Sequence, residues 1–182
     1  PERRNLVKRP CIYYNTLMSK KHYLIFSGSA STKLANAVAA VLKLPLGKME
    51  IIQFTNAEHR LRILSNVQNK HCIVIQSTGR PVNDNVLELF LLIDTLKRSG
   101  AKTIVAVVPY FGYSRQHKTF RQNECMSADM ILKILALLGV DKVVTVDFHN
   151  VEDIQNSPLP LKNISALPLL ANVIAKKIDV SN

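Results

Sequence analysis

The alternation of two hydrophobic periods from Tyr23 onward constrains the fold more than any other feature of this chain. Short runs rich in β-branched and aromatic residues alternate with longer segments whose apolar residues recur at helical spacing. This order is typical of βαβ units, in which helices connect parallel strands. We therefore predict an α/β domain of three layers, with a mainly parallel central sheet flanked by helices.

Polar turns divide the chain into well-separated predicted elements. The strands are predicted at residues 23–27, 49–54, 61–64, 71–77, 103–108 and 142–147. The helices are predicted at residues 32–44, 85–99, 126–138 and 167–178. The segment 109–123, between a strand and a helix, is predicted as a long loop, and 157–160 as a turn.

Local signals refine the predicted helices. An apolar face of the first helix is formed by Leu34, Val38, Val41 and Leu42. Asn85 and Glu88 have the spacing of a capping box, which predicts that the second helix begins at Asn85. Gly100 and Gly139 are predicted to end helices in the left-handed conformation.

Length and charge divide the chain into two parts. The 182 residues fit one domain or one domain with an appendage, and 47% of them are hydrophobic, as in globular proteins. The net charge of +11 favours polyanionic partners such as nucleic acid, a membrane surface or nucleotide phosphates. Residues 1–22 carry six Lys and Arg but one Glu, so we predict a flexible basic extension there and the folded domain at 23–182.

Cysteine usage and the N-terminus indicate the compartment. Cys11, Cys72 and Cys125 are odd in number and form no CxxC pair, so neither a disulfide framework nor a zinc site is predicted. No apolar run approaches the ~20 residues that span a bilayer, and the N-terminus lacks the apolar segment of a secretory signal. We expect a cytoplasmic protein. An organellar protein is the alternative if the basic N-terminus, which lacks an initiator Met, remains from a presequence.

The basic loop after the strand at 103–108 is the strongest local indication of a ligand. Ligands of parallel sheets bind beyond the carboxyl ends of the strands. Arg115, Lys118 and Arg121 have no acidic neighbour until Glu124, and guanidinium groups suit phosphate oxygens. The alternative is a solvated basic loop without a ligand.

Two further strand ends carry candidate residues. Phe54, Asn56 and Glu58 could stack on a base and bind its polar edge, although an ordinary β-turn would have a similar composition. His149 could bind a metal or phosphate, with Asp147 orienting its ring, or it could be a structural histidine. The chain lacks the GxxxxGK(S/T) and GxGxxG loops and any helix-turn-helix, zinc-finger or RRM motif.

Five motifs together resemble one family. They are FSGSAS (26–31), FTNAE (54–58), IVIQSTGRPVNDNVLEL (73–89), VVPYFGYSRQ (107–116) and TVDFH (145–149). In this order and at these spacings, they resemble the N-terminal domain of ribose-phosphate pyrophosphokinases, from about residue 23 to residue 170. The resemblance implies a phosphoribosyltransferase-like fold.

The resemblance also implies an activity and roles for individual residues. The family transfers the β,γ-diphosphoryl group of ATP, with Mg²⁺, to ribose 5-phosphate and so makes phosphoribosyl pyrophosphate for nucleotide biosynthesis. Phe54, Asn56 and Glu58 correspond to its adenine-binding loop, and Arg115 and Gln116 to residues that contact ATP. His149 corresponds to a residue that holds the magnesium-bound phosphates. The adenine loop of the family faces a neighbouring subunit, which implies a homo-oligomer.

Departures from the family pattern leave alternatives. Residues 117–120 stand where the family has Asp followed by basic residues, and no run like DDxxDTxGT, the family's pentose site, occurs in the chain. We therefore expect the catalytic residues in a second domain and this half alone to be inactive. A non-catalytic regulatory homologue that assembles with active synthetases is the alternative. A basic nucleic-acid-binding domain is a remote one, and we expect neither nucleic acid nor a membrane as partner.

Overall fold

The computed structural model describes residues 20–119, 121–150 and 157–177. Its strands are β1 (Tyr23–Ser27), β2 (Met49–Gln53), β3 (His59–Ile63), β4 (His71–Ile75), β5 (Thr103–Val108), β6 (Lys142–Val146) and β7 (Leu161–Ile164). Its helices are α1 (Thr32–Leu42), α2 (Val82–Arg98), α3 (Ser127–Leu137) and α4 (Leu167–Lys177). Short 3-10 turns at Lys20–His22 and Ser29–Ser31 flank β1. Residues 1–19 lie outside the described residues, so the division at residue 22 stays a prediction.

A five-stranded parallel sheet forms the centre of the domain. Its strand order is β1-β4-β5-β6-β7, and each neighbouring pair is parallel. The strands β2 and β3 form a separate antiparallel hairpin. The predicted mainly parallel sheet is confirmed, but the prediction that 142–147 is the last strand is wrong. The missed strand β7 lies at the sheet edge and is half exposed, so its sequence LKNI lacks the continuous apolar run of a buried strand.

Side chains of successive strand residues lie on opposite faces of the sheet. Leu24 and Phe26 of β1 belong to the larger core cluster, which includes residues of α2 and α3. Ile25, between them, belongs to a second cluster with Ala35 and Ala39 of α1. The helices α2 and α3 therefore cover one face and α1 the other, which gives the three predicted layers.

The helix α1 packs on the sheet through small residues. Ala35 and Ala39 are its buried positions, whereas Val41 is 81% exposed. The apolar face expected from the sequence, with Leu34 and Leu42, is therefore largely turned outward. Alanine side chains allow the helix backbone to approach the sheet closely, and an apolar pattern alone does not separate this face from the other when both are hydrophobic.

The second helix begins earlier than the capping-box pattern predicts. It starts at Val82, and the side-chain amide of Asn85 donates to the carbonyl of Gly79 at 2.9 Å. Glu88 does not cap the helix either, because its carboxylate binds a distant turn and is 2% exposed. The predicted helix ends at Gly100 and Gly139 are confirmed, with φ of +88° and +89°. None of the helices in the described parts of the chain is long and apolar enough to cross a membrane.

Candidate functional site

The loops after β1, β4, β5 and β6 meet at the carboxyl edge of the sheet, as expected for parallel strands. Backbone hydrogen bonds connect them in sequence across this edge. The amide of Gly28 donates to Ile75, that of Gln76 donates to Val107, and that of Val146 donates to Pro109, at 3.0, 3.0 and 3.2 Å. We call this set of loops the carboxyl edge.

The turn after β1 is held by side chains from the loop after β4 and from α2. The backbone amide and hydroxyl of Ser29 donate to the Glu88 carboxylate at 2.6 and 2.5 Å. The Gln76 side-chain oxygen accepts from the Ala30 amide at 3.1 Å, and the Ser31 hydroxyl accepts from the Ser77 amide at 2.7 Å. The turn lines a cleft of about 530 Å³ together with residues of the α1 N-terminus and the loops after β4 and β5.

The basic loop comprises residues 109–119 of the described chain. Thr78 fixes its first half. The Thr78 hydroxyl accepts from the Gly112 amide at 2.7 Å and donates to the Tyr110 carbonyl at 3.0 Å. A side chain at position 112 would meet the Thr78 carbonyl oxygen at 2.5 Å, so the close approach requires glycine. Tyr113 has a φ of +64°, and its hydroxyl donates to the side chain of Asn83.

The second half of the loop is attached to the start of α3. The Gln116 side-chain oxygen accepts from the Ser127 hydroxyl at 2.5 Å, and the Gln116 carbonyl accepts from the Ala128 amide at 3.2 Å. Arg115 is exposed between these anchors and forms no ion pair or side-chain hydrogen bond with the residues that the structure describes. The loop thus presents a guanidinium group from a fixed backbone.

His149 joins this loop at the carboxyl edge. The Phe148 ring is 6% exposed and contacts the Phe111 ring edge-on, with ring centres 5.4 Å apart. The His149 ring is exposed, and its centre lies 5.6 Å from that of His117. Arg115, Gln116 and His149 therefore belong to neighbouring loops, as the strand ends predicted.

Asp147 does not orient the His149 ring. Its carboxylate oxygens instead accept from the Ala166 amide at 3.2 and 3.3 Å, one residue before α4. Asp147 also has a φ of +46°, so the backbone leaves the extended conformation before His149. The expectation that both side chains share one strand face is wrong, because β6 ends at Val146.

Phe54, Asn56 and Glu58 lie in the loop of the β2–β3 hairpin. The Phe54 amide donates to the Glu58 carbonyl at 2.8 Å, and the Asn56 side-chain oxygen accepts from the Glu58 amide at 3.2 Å. Phe54 is 43% exposed, with the Arg60 guanidinium 5.8 Å from its ring centre. Ala57 has a φ of +67°, which closes the turn.

The hairpin loop faces α2. Asn56 and Glu58 line a cleft of about 390 Å³ together with Asp84 and Leu87. Arg115, Gln116 and His149 do not line this cleft. Asn56 and Glu58 thus lie together in one cleft, and Phe54 lies in the same hairpin loop but does not line the cleft. The other three predicted residues lie together at the carboxyl edge, so the structure does not merge the two groups. The roles of all six residues stay predictions.

The resolved pKa shifts lie at the opposite edge of the sheet, where β4 begins. Burial, reinforced by the positive charges of Lys102 and His22, lowers the pKa of His71, although Asp141 acts in the other direction. Burial raises the pKa of the Cys72 thiol to about 11. These shifts follow from packing against the core and not from the chemistry of the carboxyl edge.

The described side chains offer few ligands for a magnesium ion. Mg²⁺ prefers octahedral oxygen coordination, whereas the metal-binding side chains that meet at the carboxyl edge are the imidazoles of His117 and His149. Among residues 20–119, 121–150 and 157–177, no group of three or more His, Cys, Asp or Glu could hold a metal ion. These side chains by themselves therefore do not fit a magnesium site.

Sequence reasoning missed the residues that position the site. Glu88, Thr78 and Asn83 fix the loops after β1 and β5 without belonging to them. Their motif, 73–89, was recognised, but nothing in its local pattern predicts contacts over 30 to 59 residues. A Glu among the apolar residues of the α2 face was the one available signal, since a buried carboxylate needs hydrogen-bond donors.

Comparisons with known proteins identify the family of this chain. Residues 23–139 match the family model of the N-terminal domain of ribose phosphate pyrophosphokinase. The chain is 40% identical over 162 residues to "Ribose-phosphate pyrophosphokinase" of Ralstonia nicotianae, which covers 88% of this chain and 51% of that protein. It is 38% identical over 156 residues to the protein of the same name from Burkholderia pseudomallei. That match covers 85% of this chain and 49% of the relative.

A solved structure is similar as well. The crystal structure of phosphoribosylpyrophosphate synthetase from Mycobacterium smegmatis matches with a TM-score of 0.81 and 32% sequence identity. The match covers 85% of this chain and 52% of that one. The chain thus spans about half the length of the curated relatives and of the solved structure that it matches.

Proposed function

The chain belongs to the ribose-phosphate pyrophosphokinase family, whose N-terminal domain it matches, and from this premise we propose that it is the nucleotide-facing half of a ribose-phosphate diphosphokinase. The reaction would transfer the β,γ-diphosphoryl group of ATP to the anomeric hydroxyl of ribose 5-phosphate. Its products would be AMP and phosphoribosyl pyrophosphate, which enters nucleotide biosynthesis. We propose a cytoplasmic location for this activity.

One observation carries the proposal: a basic loop anchored at both ends meets His149 at the carboxyl edge. Diphosphoryl transfer depends on positioning and on neutralising charge. Arg115, whose guanidinium can bind two phosphate oxygens at once, projects from a backbone fixed by Thr78 and Ser127. Because these anchors are hydrogen bonds within the domain itself, little ordering entropy would oppose phosphate binding.

The hairpin loop would bind the adenine ring. Phe54 would stack on the base, and Asn56 and Glu58 would form hydrogen bonds with its polar edge. Since Arg115 and His149 do not line the hairpin cleft, we propose that the two groups of residues act on one ATP only when supplied by two subunits. This arrangement would require a homo-oligomer.

Magnesium is proposed as the counter-ion of the ATP polyphosphate. The phosphate oxygens and water would provide most of its ligands, in keeping with the oxygen preference of Mg²⁺. The pentose would bind to residues outside this chain, because no DDxxDTxGT-like run occurs in it. The 182 residues alone are therefore expected to bind nucleotide without catalysing transfer.

The test is an assay of AMP formation by the full-length protein with ATP, ribose 5-phosphate and Mg²⁺. We expect Arg115→Ala to lower kcat/KM by about a hundredfold, because it removes a charge from the phosphate site. Arg98→Ala is the matched control, since Arg98 is an exposed arginine paired with Asp94 on α2. Its kcat/KM should equal that of the wild type.

The assay separates the alternatives. Absence of AMP formation by the wild-type protein would refute the proposed activity. Absence of AMP together with co-purification of an active synthetase would instead identify a regulatory homologue. Equal activity of Arg115→Ala and Arg98→Ala would show that Arg115 does not bind the nucleotide. The proposed reaction itself would not be refuted by that result.

A further inference from the structure

Asn83, in the first turn of α2, contacts the basic loop across 30 positions of the sequence. Its side-chain oxygen accepts the hydrogen bond that the Tyr113 hydroxyl donates. We propose that Asn83 is a positioning residue of the nucleotide site, which acts through Tyr113 to hold Arg115 in place. This inference rests on the proposed function, in which Arg115 binds the ATP phosphates.

Arg115 lies in a tight turn whose first residue is Tyr113. The Gln116 amide donates to the Tyr113 carbonyl at 2.8 Å, which closes a β-turn with Arg115 at its third position. The far end of this turn is held at Gln116, whose side-chain oxygen accepts from the Ser127 hydroxyl at 2.5 Å. The near end has its side-chain anchor in the hydrogen bond from Tyr113 to Asn83. The direction of the Arg115 side chain therefore depends on both ends of the turn.

The backbone of Tyr113 does not favour the conformation in which it is found. Its φ of +64° lies in the left-handed region, where the Cβ atom of a residue other than glycine crowds the backbone. Such a conformation persists only when the surrounding structure holds it. Among the described residues, Asn83 is the only one whose side chain forms a hydrogen bond with the Tyr113 side chain.

Packing alone does not fix the Tyr113 ring. The ring is half-buried beside the core and lines a cavity of about 240 Å³ between α2 and α3. Val86, Phe90 and Ile131 contribute apolar walls to this cavity. Close packing would restrict the ring on every side, but the cavity leaves space on one of them. The hydrogen bond to Asn83 therefore selects the orientation of the ring, and with it that of the turn.

The start of α2 is a fixed point for this hydrogen bond, because its first two turns are tied to other loops. The Asn85 side-chain amide donates to the Gly79 carbonyl at 2.9 Å, and the Glu88 carboxylate accepts from the Ser29 amide at 2.6 Å. Asn83 is a short side chain on this anchored helix, so it holds the basic loop at a defined distance from α2. Displacement of a binding group by about 1 Å can lower a reaction rate about a hundredfold.

The test is a double-mutant cycle on the full-length protein, with Asn83→Ala, Tyr113→Phe and the double variant. The KM values for ATP and ribose 5-phosphate are measured from AMP formation, and ATP affinity is measured by calorimetry. Each single variant should raise the KM for ATP, and weaken ATP affinity, by about fivefold, the effect of one lost hydrogen bond. The double variant should show the same factor, because both substitutions remove the same bond. The KM for ribose 5-phosphate should stay unchanged, since the pentose is proposed to bind outside this chain.

Two control variants remove the same chemical groups elsewhere. Asn36→Ala changes an exposed asparagine of α1, and Tyr23→Phe removes the hydroxyl of a tyrosine at the start of β1, on the opposite edge of the sheet. Both should keep the KM for ATP of the wild type. All variants should keep its melting temperature within about 2 °C, because the hydrogen bond between Asn83 and Tyr113 is exposed.

The outcomes separate the positioning role from the proposed function. An ATP affinity and KM of Asn83→Ala equal to those of Asn36→Ala would overturn the positioning role and leave the function in place. A double variant whose effect is the product of the single effects, or a parallel rise in the KM for ribose 5-phosphate, would also overturn it. If the wild type binds ATP but forms no AMP, the proposed activity fails, and the calorimetric affinities decide the role of Asn83. A wild type that does not bind ATP would refute both.

Discussion

The carboxyl edge and the hairpin loop both carry predicted nucleotide-binding residues, but they are built differently. At the carboxyl edge, side chains that are distant in sequence form the anchors: Glu88 of α2 holds the turn after β1, and Thr78 of the loop after β4 holds the basic loop. The loop of residues 54–58 is closed by its own hydrogen bonds and by the contact of Arg60 with Phe54. One region is held by distant parts of the domain, and the other is an exposed turn closed by its own residues.

The fixed loops of the carboxyl edge and the exposed hairpin loop suit the two ends of ATP, the proposed ligand. Phosphate groups carry most of the charge and require fixed donors, which a preorganised loop provides. An adenine ring is bound largely by stacking, which tolerates small displacements. An exposed hairpin loop can therefore serve the base, particularly where a second subunit completes the site. Substitutions should affect stability at the carboxyl edge and leave it almost unchanged at the hairpin.

The largest effect is expected from Glu88→Ala. It removes both acceptors of the Ser29 amide and hydroxyl in a buried position, which should lower the free energy of unfolding by about 3 kcal/mol. Urea unfolding followed by circular dichroism measures the change. Glu88→Gln keeps one oxygen acceptor and should lose about half as much. A loss below about 1 kcal/mol for Glu88→Ala would show that the turn is held by other contacts.

A smaller effect is expected from Gly112→Ala. The new methyl group would lie 2.5 Å from the Thr78 carbonyl oxygen and 2.9 Å from the Val82 side chain, so the loop must shift at a cost of about 2 kcal/mol. Gly79→Ala is the matched control, because its methyl group meets no atom closer than 3.9 Å. Thermal unfolding of the two variants compares them directly. Equal melting temperatures would mean that the close approach at Gly112 has no energetic consequence.

The smallest stability effect is expected from Asn56→Ala in the hairpin loop. The hydrogen bond that it removes is exposed, so the free energy of unfolding should change by less than about 0.5 kcal/mol. ATP affinity of the full-length protein should nevertheless fall if Asn56 binds adenine. Nucleotide titration and urea unfolding of the same preparation separate the two effects. A stability loss comparable to that of Gly112→Ala would contradict the difference between the regions.

The errors of the sequence predictions have a common origin. Strands β1 and β5 were predicted with the bounds that they have, and Gly100 and Gly139 end helices as expected, because these features depend on neighbouring residues. The capping box was wrong because Glu88 bonds to Ser29, 59 positions earlier. Strand β7 was missed because half of its residues face solvent at the sheet edge. A local sequence pattern predicts neither the distant partner of Glu88 nor the position of β7 at the sheet edge.

In the candidate site, too, local features were predicted and contacts between distant residues were not. The sequence placed Arg115, Gln116 and His149 at strand ends, and parallel strands bring such ends to one edge whatever the loops contain. It did not indicate that His117 and His149 come within 5.6 Å of each other, or that Asp147 binds the segment before α4. Those contacts depend on side-chain directions and on loop conformations.

Hydrophobic periods and glycine positions act over a few residues, and they were enough to predict the layered α/β domain, most of its strands and helices, and the edge at which its loops meet. Packing of the whole chain selects which face of α1 is buried, which side chains hold the basic loop, and that the hairpin loop faces α2 and not the carboxyl edge. Each of these depends on partners that are distant in sequence and meet only when the chain packs.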